Sequence, residues 1–62
     1  MKYSELIRLL KQNKWYEVNQ TGSHIKMRHP EKTESIIVPN HGVKEVGKGL
    51  AAKILKQSGI IQ

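Results

Sequence analysis

Cysteine is absent from this 62-residue chain, and so are aspartate and phenylalanine. Without thiols there is no disulfide framework and no thiolate metal site. Acid is scarce: five glutamates stand against eleven Lys plus Arg, for a formal charge of +6. That imbalance points to a polyanion or an acidic protein partner, and it says nothing about the fold. No apolar run approaches the ~20 residues that a membrane-spanning helix needs. The opening Met1-Lys2-Tyr3-Ser4-Glu5-Leu6 has no apolar h-region, so the reading is a soluble cytoplasmic protein with no membrane partner. The length suits a single domain, residues 1–62, that buries about 60% of its unfolded surface. Such a domain has little room for an enclosed small-molecule cavity, and a surface site acting on a polymer fits it better.

What is present divides into five segments. Ser4 is a suitable N-cap for a first helix, with Glu5 in its first turn, where the helix dipole favours an anion. Tyr3, Leu6, Ile7, Leu9 and Leu10 recur at helical spacing as one apolar stripe. Asn13 is the expected stop, because Asn tolerates the left-handed conformation that ends many helices. Residues 15–20 are β-prone, and regular alternation would put Tyr16 and Val18 on one face. Thr21-Gly22 reads as a hairpin turn. A second strand over about residues 23–29 ends at Pro30, which cannot donate to a ladder. Pro30-Glu31-Lys32-Thr33 suits a turn with Pro at its second position or just before it. A third strand over residues 34–38 is closed by Pro39, and a glycine-rich loop covers residues 40–49. A second helix over residues 50–58 carries Leu50, Ala51, Ile54 and Leu55 on its apolar side, with Gly59 as its C′ residue.

The order is α-β-β-β-α, an α+β class. Short turns between consecutive strands make a three-stranded antiparallel meander. Both amphipathic helices must bury their stripes against one face of that sheet.

The chemistry centres on Gly22-Ser23-His24. A glycine turn delivers a histidine to the start of His24-Ile25-Lys26-Met27-Arg28. Alternation puts His24, Lys26 and Arg28 on one face, and Ile25 and Met27 on the other. The apolar pair belongs under the helices, so the basic trio faces solvent. Histidine moves protons near neutral pH, and two fixed cations stabilise a charged phosphorus centre. The set suits an RNA phosphodiester. The plain alternative is a solvated basic face with no function. Among partners for His24 in acid/base work, His41 and Tyr16 are candidates that the sequence does not place. A metal site is disfavoured, because His24 and His29 have opposite parity and His41 lies in a separate loop. Lys44, Lys48, Lys53 and Lys56 are candidates to extend the basic track. Trp15 is read as a core residue sealing the first helix, with base stacking by Trp15 or Tyr16 as the alternative.

Several segments together resemble the HicA family of small toxins from toxin–antitoxin pairs. The residues that carry the resemblance are Met1-Lys2, Ser4-Glu5-Leu6 and Leu9-Leu10 with Trp15, then Gly22-Ser23-His24 with His29-Pro30. They continue with Val38-Pro39 near His41-Gly42, and end in Ile54-Leu55-Lys56-Gln57-Ser58-Gly59-Ile60. The resemblance implies a double-stranded-RNA-binding-domain-like fold and a metal-independent mRNA endoribonuclease that uses no cofactor. It implies that His24 is the catalytic residue; the basic strand itself offers Lys26 and Arg28, with Gly22 and Ser23 beside them, as the RNA contacts. It also implies a HicB-type antitoxin as partner, with operator DNA met only through the antitoxin complex. The chain departs from the family where a Thr and an Arg often open the second helix: here stand Gly49-Leu50 and Ala52. A non-catalytic RNA-binding module of the same fold is the alternative function. A protein whose main role is its complex with an acidic partner is a third.

Overall fold

The apolar stripe of the first segment winds Tyr3–Gln12 into helix α1, which buries Leu6, Ile7 and Leu10. The structure, a computed structural model, describes residues 1–61. Helix α1 begins before the expected Ser4 cap, with Lys2 in the N-cap position. A lysine side chain carries no acceptor, so the end is satisfied from elsewhere. Glu5 Oε1 accepts the Lys2 N–H at 2.8 Å. The N–H groups of Tyr3 and Ser4 donate to the carbonyls of Lys44 and Gly42 at 3.1 and 3.0 Å. Tertiary contacts with the 42–46 loop therefore do the work that a capping serine does in an isolated helix.

The other end of α1 also departs from expectation. Asn13 has φ −104°, and the left-handed residue is Lys14, with φ 74°. Lys14 donates to the Lys11 carbonyl at 3.2 Å and Trp15 to the Leu10 carbonyl at 3.1 Å. This is the Schellman pattern, and its usual hydrophobic contact is available here because Leu10 and Trp15 are both buried in the core.

Three antiparallel strands follow in the order β1-β2-β3: β1 over Tyr16–Thr21, β2 over His24–Arg28 and β3 over Ile36–Pro39. The β1–β2 loop is Gly22-Ser23, one residue later than the expected turn. Gly22 has φ 59° and Ser23 is not among the positive-φ residues, which is the type II′ arrangement suited to strand twist. The β2–β3 connection turns at residues 29–32, where the Lys32 N–H reaches the His29 carbonyl at 3.2 Å. Pro30 takes its second position, where its fixed φ costs nothing.

Helix α2 spans Lys48–Ser58, with Gly47 as N-cap and no side-chain cap. It starts before the expected residue 50 and absorbs Gly49 into its first turn. It ends as expected on Gly59, with φ 80°. Both helices pack on the same sheet face. The core unites Leu6, Ile7, Leu10 and Trp15 with Ile25, Met27, Ile36, Val38, Val46 and Ile54. Burying a side chain such as Ile25 or Met27 contributes about 1.5–3 kcal/mol. A one-residue slip of β2 would exchange that pair for two cations. Their burial therefore fixes which face the residues between them occupy.

Candidate functional site

Strand β2 alternates as the sequence requires: His24, Lys26 and Arg28 are exposed, and Ile25 and Met27 are buried. The sheet face carrying His24 has no helix over it. Cross-strand register completes that face. Thr21 and Pro39 flank His24, Asn19 and Ile37 flank Lys26, and Tyr16 lies opposite Arg28. No carboxylate is among these residues.

The three histidines have different surroundings. His29 is buried, meets the Trp15 ring edge-on at 5.3 Å, and accepts the Glu31 N–H on Nδ1 at 3.0 Å. His41 meets the Tyr3 ring edge-on at 5.0 Å, by the start of α1. Among the described residues, no side chain forms a hydrogen bond or ion pair with His24. Its imidazole is free to meet a ligand.

The turn before His24 is held from both sides. The Gly22 carbonyl accepts Gln20 Nε2 at 2.9 Å, and the Ser23 carbonyl accepts the Asn40 N–H at 2.7 Å. A Cβ on Gly22 would meet nothing within 4 Å. Glycine is needed there for backbone conformation, not for space.

The two cations differ. Arg28 Nη2 donates to the Thr33 carbonyl at 3.3 Å, which steadies the guanidinium over the β2–β3 connection. Among the described residues neither Lys26 nor Arg28 has an ion-pair partner. Two residues of strand separate each member of the trio from the next, roughly 7 Å. An imidazole followed by two uncompensated cations can exchange a proton with a bound group and hold anionic oxygens beside it.

The other expected site residues fall elsewhere. Tyr16 is on the open face, but in the Arg28 row, roughly 14 Å along β2 from His24. The α2 lysines belong to the helix-covered side of the sheet. Of these, Lys53 lines an open groove of about 240 Å³ between α2 and β3, together with Ile37 and Leu50. Among the described residues no three His, Cys, Asp or Glu side chains gather as metal ligands. No helix is long and apolar enough to cross a membrane.

One feature of the face was not legible in the sequence. The pairing of β1 with β2 shifts between Glu17 and Asn19, leaving Val18 as an extra residue. Strict alternation fails there, and Tyr16 shares its face with Asn19, three positions along the strand. Nothing in the residue types around Val18 marks a bulge.

The profile of the family described as "HicA toxin of bacterial toxin-antitoxin" matches residues 3–60. A protein of Pseudomonas fluorescens (strain Pf0-1) named "Probable mRNA interferase HicA" is 43% identical over 60 residues, covering 97% of each chain. With nearly the whole sequence matched in both comparisons, the chain belongs to the HicA toxin family.

Proposed function

We propose that this protein is a metal-independent endoribonuclease that cleaves mRNA in the cytoplasm, with His24 as its proton-transfer group. The observation that carries the reading is the state of the three histidines. Two are engaged with aromatic rings, and the third stands unpartnered on a helix-free face beside two unpaired cations. The relative's name adds support, since that protein is called an mRNA interferase.

In the reaction, a base takes the proton of the ribose 2′-hydroxyl. The O2′–P bond forms, the P–O5′ bond breaks, and the leaving 5′-oxygen receives a proton. The products are a 2′,3′-cyclic phosphate and a 5′-hydroxyl. His24 serves as base, a role in which one imidazole supplies about 10²–10⁴-fold. Lys26 and Arg28 hold the phosphate oxygens and stabilise the charge of the transition state. The backbone of Gly22 and Ser23 lies beside His24 at that end of the open face. Among the described residues no side chain is hydrogen-bonded to His24, so the leaving oxygen takes its proton from water or from the imidazolium itself.

A HicB-type antitoxin silences the enzyme by covering the same face. The toxin meets operator DNA only as a passenger in that complex.

The test is His24→Ala. It should keep the fold and RNA binding, and lose both cleavage and growth arrest on induction. Cleavage at the normal rate by this variant would remove His24 from the mechanism. A wild-type protein that binds RNA and never cuts it would favour the non-catalytic module.

A further inference from the structure

The bulge at Val18 decides which residue of β1 meets the substrate face. Thr21 lies opposite His24 and Asn19 opposite Lys26. Continued alternation from these would bring Glu17 onto the open face and turn Tyr16 to the helix side. The extra residue inverts that outcome. Tyr16 pairs with Arg28 on the open face, and Glu17 turns to the helix side, where its carboxylate meets Lys11 Nζ at 2.6 Å. One inserted residue thus removes the only strand carboxylate from the basic face and replaces it with an aromatic ring. Tyr16 remains 47% exposed while its neighbour Trp15 is 2% exposed. The sheet has nothing to gain from leaving so large a ring in water, and no hydrogen bond holds its hydroxyl among the described residues.

We infer that Tyr16 is a base-stacking platform for single-stranded RNA, holding a base at the Arg28 end of the open face while His24 addresses the scissile phosphate at the other end. The inference rests on the RNA-cleaving reading above and adds a subsite to it. The face offers what a single strand needs: cations for its backbone and an exposed ring for a base. Tyr16 is displaced along β2 from His24 by roughly 14 Å, so the base it holds is not the one beside the cleaved bond. Tyr16 is a binding and positioning residue, and its removal weakens binding without touching proton transfer. Every base has a π-face, so the subsite sets substrate register more than sequence.

The experiment measures binding of a fluorescein-labelled single-stranded oligoribonucleotide in a His24→Ala background, which prevents cleavage. Adding Tyr16→Ala should weaken binding about tenfold, the loss of one stacked base. Adding Tyr16→Phe should restore most of it, because the ring is kept. The dependence on salt should keep its slope, since stacking releases no counterions. An oligonucleotide carrying one abasic nucleotide, walked along the sequence, should reveal one position at which Tyr16→Ala costs nothing further. If Tyr16→Ala binds like its parent, the platform is refuted while the RNA reading stands. Failure of the His24→Ala protein to bind RNA at all would overturn both. Intact RNA binding with a weakened antitoxin complex would assign Tyr16 to a protein interface and refute the inference. Circular dichroism and thermal melting, unchanged by either substitution, separate these results from misfolding.

Discussion

Asn40 donates its backbone N–H to the carbonyl of Ser23 at 2.7 Å, tying the exit of β3 to the turn that carries His24. The histidine is thus anchored through its neighbours, while its own ring stays free. The Asn40 side chain is used as well, with Oδ1 accepting the Gly42 N–H at 3.0 Å. Gly42 in turn accepts from Ser4 at the start of α1. A chain of hydrogen bonds therefore runs from the first helix to the turn that carries His24.

The weak point of that chain is Gly22. Its φ of 59° is one that a residue with a Cβ enters at a cost of about 1–2 kcal/mol. Space is not the obstacle, since nothing lies within 4 Å of the added carbon. Gly22→Ala should lower the melting temperature by about 4–8 °C for each kcal/mol lost. Equal melting of Gly22→Ala and wild type would mean that the turn relaxes to another type.

The parts of the site legible in sequence were those set by alternation. Ile25 and Met27 had to be buried, so His24, Lys26 and Arg28 had to face solvent, and they do. The end of α2 was legible because Gly59 is the residue type that its φ of 80° favours. The start of α1 was not, since the acceptors for its first N–H groups come from residues 42 and 44, about forty positions away in the chain. A side-chain rule that favours Ser4 cannot see carbonyls brought in by tertiary folding. The Val18 bulge stayed hidden for a similar reason: it is a property of how two strands pair, not of either strand alone.

Lys14 marks a place where the chain is less stable than it can be. It holds φ 74° without being glycine, in the C′ position that glycine favours. Its ion pair with Glu31 is long, at 3.8 Å, and both side chains are more than two-thirds exposed, so it contributes little. Lys14→Gly relieves the strain while adding some entropy to the unfolded chain. The balance should stabilise the fold by up to about 1 kcal/mol. A lower denaturation midpoint in urea for this variant would show that Lys14 contributes more than its backbone costs.

Two residues on opposite faces of the sheet should respond very differently to truncation. Met27 is completely buried, at 0% exposure, whereas Ile37 is 51% exposed on the open face. Met27→Ala opens a cavity in the core and should cost about 2–5 kcal/mol, a large share of the stability of so small a domain. Ile37→Ala should change stability by less than about 1 kcal/mol. Urea titrations of both variants give the comparison. A severe loss from Ile37→Ala would mean that the open face contributes to folding and is not reserved for a ligand.

Salt tests the two cations directly. Lys26 and Arg28 have no carboxylate partners among the described residues, so phosphates are free to take that place. Each phosphate neutralised on a single strand contributes a slope of about −0.7 to the log–log dependence of affinity on salt. In the His24→Ala background, the added pair Lys26→Ala and Arg28→Ala should flatten that slope by about 1.4. Substituting Lys48 and Lys56 of α2 should leave it nearly unchanged, because α2 packs on the opposite sheet face. Binding would be weaker at low salt and nearly equal at high salt, where counterion release no longer favours the complex. If the α2 pair changed the slope and the β2 pair did not, the RNA would run along the helix side, and His24 would have no substrate to reach.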